Sequence, residues 1–109
     1  MKRAIMVILA VLAVLSMSVG VFSAAQLLLA TGGTAGTYYP LGGAIANIVN
    51  KNVPGTNMSA QSTGASAENM RLINRGEVDF AIVQNDVAFQ AYNGLETFAG
   101  KPMKNFGVV

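Results

Sequence analysis

Apolar positions along this chain change period at each Gly- or Ser-rich break, and the changes divide it into short elements. Gln26–Thr31 is a brief apolar run stopped by Gly32-Gly33. Its length and glycine stop predict a buried strand. From Leu41 the period becomes helical: Leu41, Ala44, Ile45, Ile48 and Val49 recur at i, i+3, i+4, i+7 and i+8, as on the core-facing stripe of an amphipathic helix. Pro40 suits its first turn, where the missing N–H would go unpaired anyway. Asn50-Lys51-Asn52 and then Pro54-Gly55 stop it. Asn57–Ser62 has period-two texture and predicts a second strand. Thr63-Gly64-Ala65-Ser66 turns the chain.

A second helix follows, with Ser66 expected as N-cap, Glu68 in the first turn and Gly76 at the end. Ala67, Met70 and Ile73 share a face with Leu72 beside them, and Arg71 and Arg75 are expected to point outward. Val78–Val83 is the clearest strand, continuously apolar after Asp79 as a strand covered on both faces should be. Gln84-Asn85-Asp86 breaks it. Asp86 is placed as cap of a third helix, Val87–Asn93, which ends at Gly94. Thr97–Lys104 reads as loop, and Asn105–Val109 as the start of another strand. The order is β-α-β-α-β-α with a strand to follow. Such alternation predicts an α/β fold with a mainly parallel sheet, helices on both faces and right-handed crossovers.

Composition narrows the chemistry. Among 109 residues there is no Cys, His or Trp. Disulfide scaffolds, thiolate metal sites, Ser-His-Asp triads and the usual zinc sites are therefore excluded. The charge needs a correction. Lys2 and Arg3 precede the apolar run Ala4–Leu15, and small residues Ser23-Ala24-Ala25 close the segment. These are the three parts of a cleaved secretory signal peptide. Residues 1–25 are assigned to it, with cleavage after Ala25 or alternatively after Ser23, and residues 26–109 to an exported, truncated first part of a domain. Of seven basic side chains, two belong to that leader, leaving five against five acids. No basic patch remains to suggest nucleic acid.

Three polar clusters follow the three predicted strands and each opens a helix: Thr31–Tyr39, Ser62–Ser66 and Gln84–Asp86. Ligands of open parallel sheets bind beyond the carboxyl ends of strands. Helix N-termini there offer free N–H groups to an anion, and glycine lets the main chain come close. The candidate ligand-binding residues are Gly32, Gly33, Thr34, Thr37, Tyr38, Ser62, Thr63, Ser66, Gln84 and Asn85. Glycine-rich turns and Ser caps are also ordinary βα-loop chemistry. Tyr38 and Tyr39 either face a ligand or pack under the sheet, and Asp86 fits a cap better than a ligand group. No catalytic or metal-binding residues are assigned and no cofactor is called for. Thr34 stands where a dinucleotide fingerprint needs its second glycine, Gly100-Lys101 runs into Pro102 where a P-loop needs Ser or Thr, and no histidine can activate Ser66. An exported α/β enzyme or a nucleotide-binding domain using the Gly-rich loop is the rival class.

The strings TGGTAGTYYPLGGAIANIVNK and AQSTGASAENMRLINRGEVDFAIVQNDVAFQAYNG closely resemble the TAXI family, the extracytoplasmic solute-binding subunits of TRAP (tripartite ATP-independent periplasmic) transporters. The likeness runs from about Leu28 to Val109. It implies a type II periplasmic-binding-protein fold, whose two α/β lobes close on a ligand by hinge motion, with this chain carrying the βαβαβα portion of the first lobe and lacking the second. It further implies a small carboxylate ligand (glutamate, glutamine or another organic acid) in the periplasm and TRAP membrane subunits as partners. The segments Gly32–Tyr38 and Ser62–Ser66 and the pair Gln84-Asn85 match family segments lining the cleft.

Overall fold

The computed structural model describes residues 1–2, 4–7 and 23–109. Most of the apolar run assigned to a signal peptide, positions 8–22, lies outside the described residues. Strand β1 (Ala25–Ala30) leads to helix α1 (Tyr38–Asn52), β2 (Thr56–Gln61), α2 (Ser66–Arg75), the two-residue β3 (Phe80–Ala81) and α3 (Asn85–Asn93). A 3-10 turn follows at Glu96–Phe98. The strands form one parallel sheet in the order β2-β1-β3, with Ala25 to Ala30 in register with Thr56 to Gln61, and Leu29 and Ala30 beside Phe80 and Ala81. The mixed α/β fold with an open parallel sheet is the expected one, consistent with part of a periplasmic-binding-protein lobe.

Successive strand residues face opposite sides, and the core follows that rule. Leu27 and Leu29 pack with Met58 and with Ala46 and Val49 of α1. Ala30 packs with Leu72 and Ile73 of α2 and with Val78. The two helices therefore cover opposite faces of β1. A third cluster joins Met70 of α2 to Ala91 of α3 and to Phe98 and Met103. The segment read as loop at 97–104 thus supplies two core side chains. Gly76 and Gly94 end their helices at φ near 69° and 66°, where L side chains are strained. At each, two reverse N–H bonds satisfy the last carbonyls, as in Glu77 N–H to the Leu72 carbonyl and Leu95 N–H to the Gln90 carbonyl.

Several expectations are corrected. The buried residues of α1 are Gly42 and Ala46, not the stripe of large side chains: Leu41 and Ile48 stand 48% and 62% exposed, and Ile45 and Ala44 are exposed too. A Cβ at Gly42 would meet the Thr31 methyl far inside contact distance. The small residues let α1 approach the sheet, and that closeness decides which face turns inward. The strand expected over Val78–Val83 shrinks to two paired residues, and Phe80 is 41% exposed. Its ladder is interrupted by side chains at both ends. The Asp79 carboxylate accepts from the Leu28 N–H at 2.8 Å, and the Ile82 carbonyl accepts from the Asn69 amide at 2.9 Å. Asn105–Val109 forms no strand; Phe106 instead meets Tyr92 edge-to-face. Arg71 does not simply point outward, because it is half-buried with its guanidinium over the Phe98 ring.

Candidate functional site

The carboxyl ends of the strands converge around Gly32. Thr31 extends the β1–β2 pairing by donating its N–H to the Gln61 carbonyl at 3.0 Å, and its hydroxyl donates to the same oxygen at 2.7 Å. The Gly32 carbonyl accepts from the Thr63 N–H at 3.3 Å and the Ser62 hydroxyl at 3.1 Å. A Cβ on Gly32 would lie 3.4 Å from the Tyr38 Cβ and 3.6 Å from the Ala65 Cβ. Gly32 therefore sits between the start of α1 and the start of α2, where a longer side chain would fill the space separating them.

The amides at these two helix starts are open. Among the described residues, the Tyr38, Tyr39, Ser66, Ala67 and Glu68 N–H groups donate to no protein acceptor, and the first intrahelical-type bonds are Leu41 N–H to Thr37 O and Asn69 N–H to Ala65 O. Neither helix has an N-cap side-chain bond. Such amides, with the positive end of the helix dipole behind them, suit an anionic group. The start of α3 differs. There the Asp86 N–H is taken by Asn85 Oδ1 and the Val87 N–H by Asp86 Oδ1, both at 2.9 Å. Among the described residues, several basic side chains are engaged or placed elsewhere. Arg75 pairs with Glu77, Lys104 lies over the Tyr92 ring, and Lys51 is in the last turn of α1. The Arg75 pairing holds the Glu77 carboxyl below the usual carboxylate range and raises the guanidinium, both through their direct hydrogen bond.

The model of the NMT1-like family matches residues 29–109, from inside β1 through every later element. The chain belongs to the NMT1-like family. Its members are periplasmic solute-binding proteins, so a small-molecule site at the strand ends is the arrangement to look for in this NMT1-like chain.

The expected site residues divide into three groups. Gly32, Tyr38, Ser62 and Thr63 come together at the junction of β1, β2 and the two open helix starts. Ser66 joins them from the first turn of α2 and is tied to the third loop, because its buried hydroxyl accepts the Gln84 N–H at 3.0 Å. Gly33, Thr34 and Thr37 line the exposed outer side of the first loop, and a Cβ on Gly33 would meet nothing within 4 Å. The Gln84 and Asn85 side chains are exposed, and Asn85 opens toward a shallow groove beside Asp86, Phe89 and Glu96.

Hydrogen bonding distinguishes these groups chemically. The protons of Thr31, Ser62 and Thr63 are committed to Gln61 O, Gly32 O and Asn69 Oδ1. The Ser66 hydroxyl accepts from Gln84 and keeps its proton for another acceptor. Two capping assignments are corrected. Ala65, at φ 68°, holds the N-cap position of α2, so Ser66 is its first helical residue. Glu68 takes no N-cap bond either: its carboxylate accepts the Gly64 N–H, one residue before the N-cap, at 2.5 Å. Likewise Gln84 precedes α3, and Asp86 lies within the helix's first turn.

The residue that the sequence reading missed is Asn69. It is fully buried on α2 and bonded to segments after all three strands. A signal was present. Asn69 is a polar side chain among the apolar positions Met70, Leu72 and Ile73, on the face that must enter the core.

Proposed function

We propose that this NMT1-like protein is an extracytoplasmic solute-binding protein that captures a small carboxylate, glutamate- or glutamine-like or another organic acid, and delivers it to a TRAP-type membrane transporter. The leader at residues 1–25 serves its export and is cleaved. The carboxylate is held by backbone N–H groups at the starts of α1 and α2, assisted by the Ser66 proton, the exposed hydroxyls of Thr34 and Thr37, and the half-buried Tyr38. The protein binds without turnover. The observation that carries this reading is the convergence of two uncapped helix starts on Gly32, with five amides free of protein acceptors among the described residues. Family membership supports solute binding, and the resemblance of the two motif strings to TAXI sequences supports the transporter and ligand class.

Gly33→Val tests the assignment. The new side chain meets no protein atom within 4 Å of its Cβ, and Gly33 is not among the positive-φ glycines, so the fold tolerates it. It occupies open space on the exposed side of the first loop, where a ligand lying along that loop would be displaced. Calorimetry with L-glutamate, L-glutamine and small organic acids should show binding to the wild type, a matching rise in melting temperature, and loss of both in Gly33→Val at unchanged intrinsic stability. Equal affinity in the variant would make the loop a structural turn. Chemical conversion of any of these acids would replace binding with catalysis.

A further inference from the structure

We propose that Asn69 is a positioning residue: one buried amide holds the loops after all three strands in a single arrangement, and carboxylate affinity depends on it without contact to the ligand. The proposal rests on the ligand reading above for its second half only. Asn69 is 0% exposed. Its Nδ2 donates to the Thr31 carbonyl at 2.7 Å and to the Ile82 carbonyl at 2.9 Å, and its Oδ1 accepts from the Thr63 hydroxyl at 2.7 Å. These bonds reach the segments that follow β1, β3 and β2. The two carbonyls require donors and the hydroxyl offers one, so the network itself assigns which way the amide points.

Each bond acts on a candidate binding segment through the next residue. The Thr31 carbonyl belongs to the peptide unit that enters Gly32. Thr63 Oγ, while donating to Asn69, accepts the N–H of Ala65 at 3.2 Å. Ala65 has the left-handed φ of 68° that sets the direction of α2 and of its open amides. Beyond Ile82, the third loop is tied again to α2 by the Gln84 N–H on Ser66 Oγ. A leucine at position 69 would fill a similar volume but leave two carbonyls and a hydroxyl without their partner, and the loops would keep only their direct bonds, Thr63 N–H and Ser62 O–H to Gly32 O and Gln84 N–H to Ser66 Oγ. Aspartate would place negative charge against the two carbonyls.

The test joins hydrogen exchange of the ligand-free protein with calorimetry using L-glutamate as probe. Asn69→Ala should speed exchange together at the hydrogen-bonded amides of the three segments, Thr31, Thr63, Ala65, Ile82 and Gln84, by about tenfold or more beyond the change set by its melting temperature. Its L-glutamate affinity should fall by about tenfold or more, measured where the variant is folded. Thr63→Val severs one of the three bonds and also removes the acceptor of the Ala65 N–H, so it is read at the Thr63 amide, which should exchange faster while Ile82 and Gln84 keep wild-type rates, and it should weaken L-glutamate by a smaller factor. That variant carries the test if Asn69→Ala does not fold. In Asn69→Asp the affinity relative to wild type should recover toward acid pH, as a protonated carboxyl regains one donor, whereas a purely structural role would move stability and leave this ratio flat. Wild-type exchange at these amides in Asn69→Ala, or at the Thr63 amide in Thr63→Val, overturns the positioning role. The expected exchange pattern with no L-glutamate binding by the wild type would instead leave the positioning of the loops supported and overturn the ligand reading.

Discussion

Helices α1 and α2 carry apolar stripes of similar spacing and meet opposite fates. On α2 the stripe is the buried one: Met70 and Leu72 are 2% and 7% exposed, with Ala67 and Ile73 half-buried against the same clusters. On α1 the large residues Leu41, Ile45 and Ile48 remain at the surface while Gly42 and Ala46 enter the core. Periodicity reports that a face is apolar. It does not report which neighbour that face will meet. Close approach to β1 and β2 is available only on the side of α1 without bulk, and glycine in a helix interior, costing about 0.5–1 kcal/mol relative to alanine, is placed at that contact. The helix ends repeat the contrast. Both α1 and α2 start with open amides around Gly32, whereas α3 satisfies its second and third amides with the side chains of Asn85 and Asp86.

The comparison can be broken by truncating each stripe. Met70→Ala should lose about 2–5 kcal/mol, as a buried side chain leaves a cavity among Ala91, Phe98 and Met103. The same truncation at Ile48 should stay within about 0.5 kcal/mol, as expected for an exposed position. Denaturant melts of the pair decide it, and a large loss at Ile48 would mean that the α1 stripe is covered in solution. Next in size is Gly42→Val. Its Cβ is forced onto the Thr31 methyl and faces Leu29 and Ala60, so overpacking should lower stability by about 1–3 kcal/mol. Because Thr31 opens the first loop, L-glutamate affinity should fall with it. A stable Gly42→Val would show that α1 is free to move off the sheet.

The smallest effect is expected at the end of α2. The Glu77 carboxyl is lowered by its bond to Arg75, so the pair stabilises above the usual carboxylate range and that contribution is lost as pH falls through it. Both side chains are half exposed, at 51%, and salt screens them. Glu77→Gln should therefore leave the neutral-pH melting temperature nearly unchanged and flatten its acid dependence slightly at low ionic strength. A large neutral-pH loss would show that the end of α2 depends on this pair as much as on its Gly76 turn.

The alternation of strands and helices, the glycine stops and the parallel sheet were legible in the sequence because they follow from local chemistry: period, caps and breakers act within a few residues. So was the location of the candidate loops, since βα connections must lie at the strand ends. Three features were decided only by tertiary structure. The inward face of α1 depended on Gly42 fitting against Thr31. The short β3 depended on Asp79 and Asn69 taking up backbone groups that a ladder would otherwise pair. The role of Asn69 depended on contacts with Thr31 and Ile82, 38 and 13 residues away. Each is a contest between groups distant in sequence for the same space or the same hydrogen bond, and it is resolved when the three strand ends are brought together.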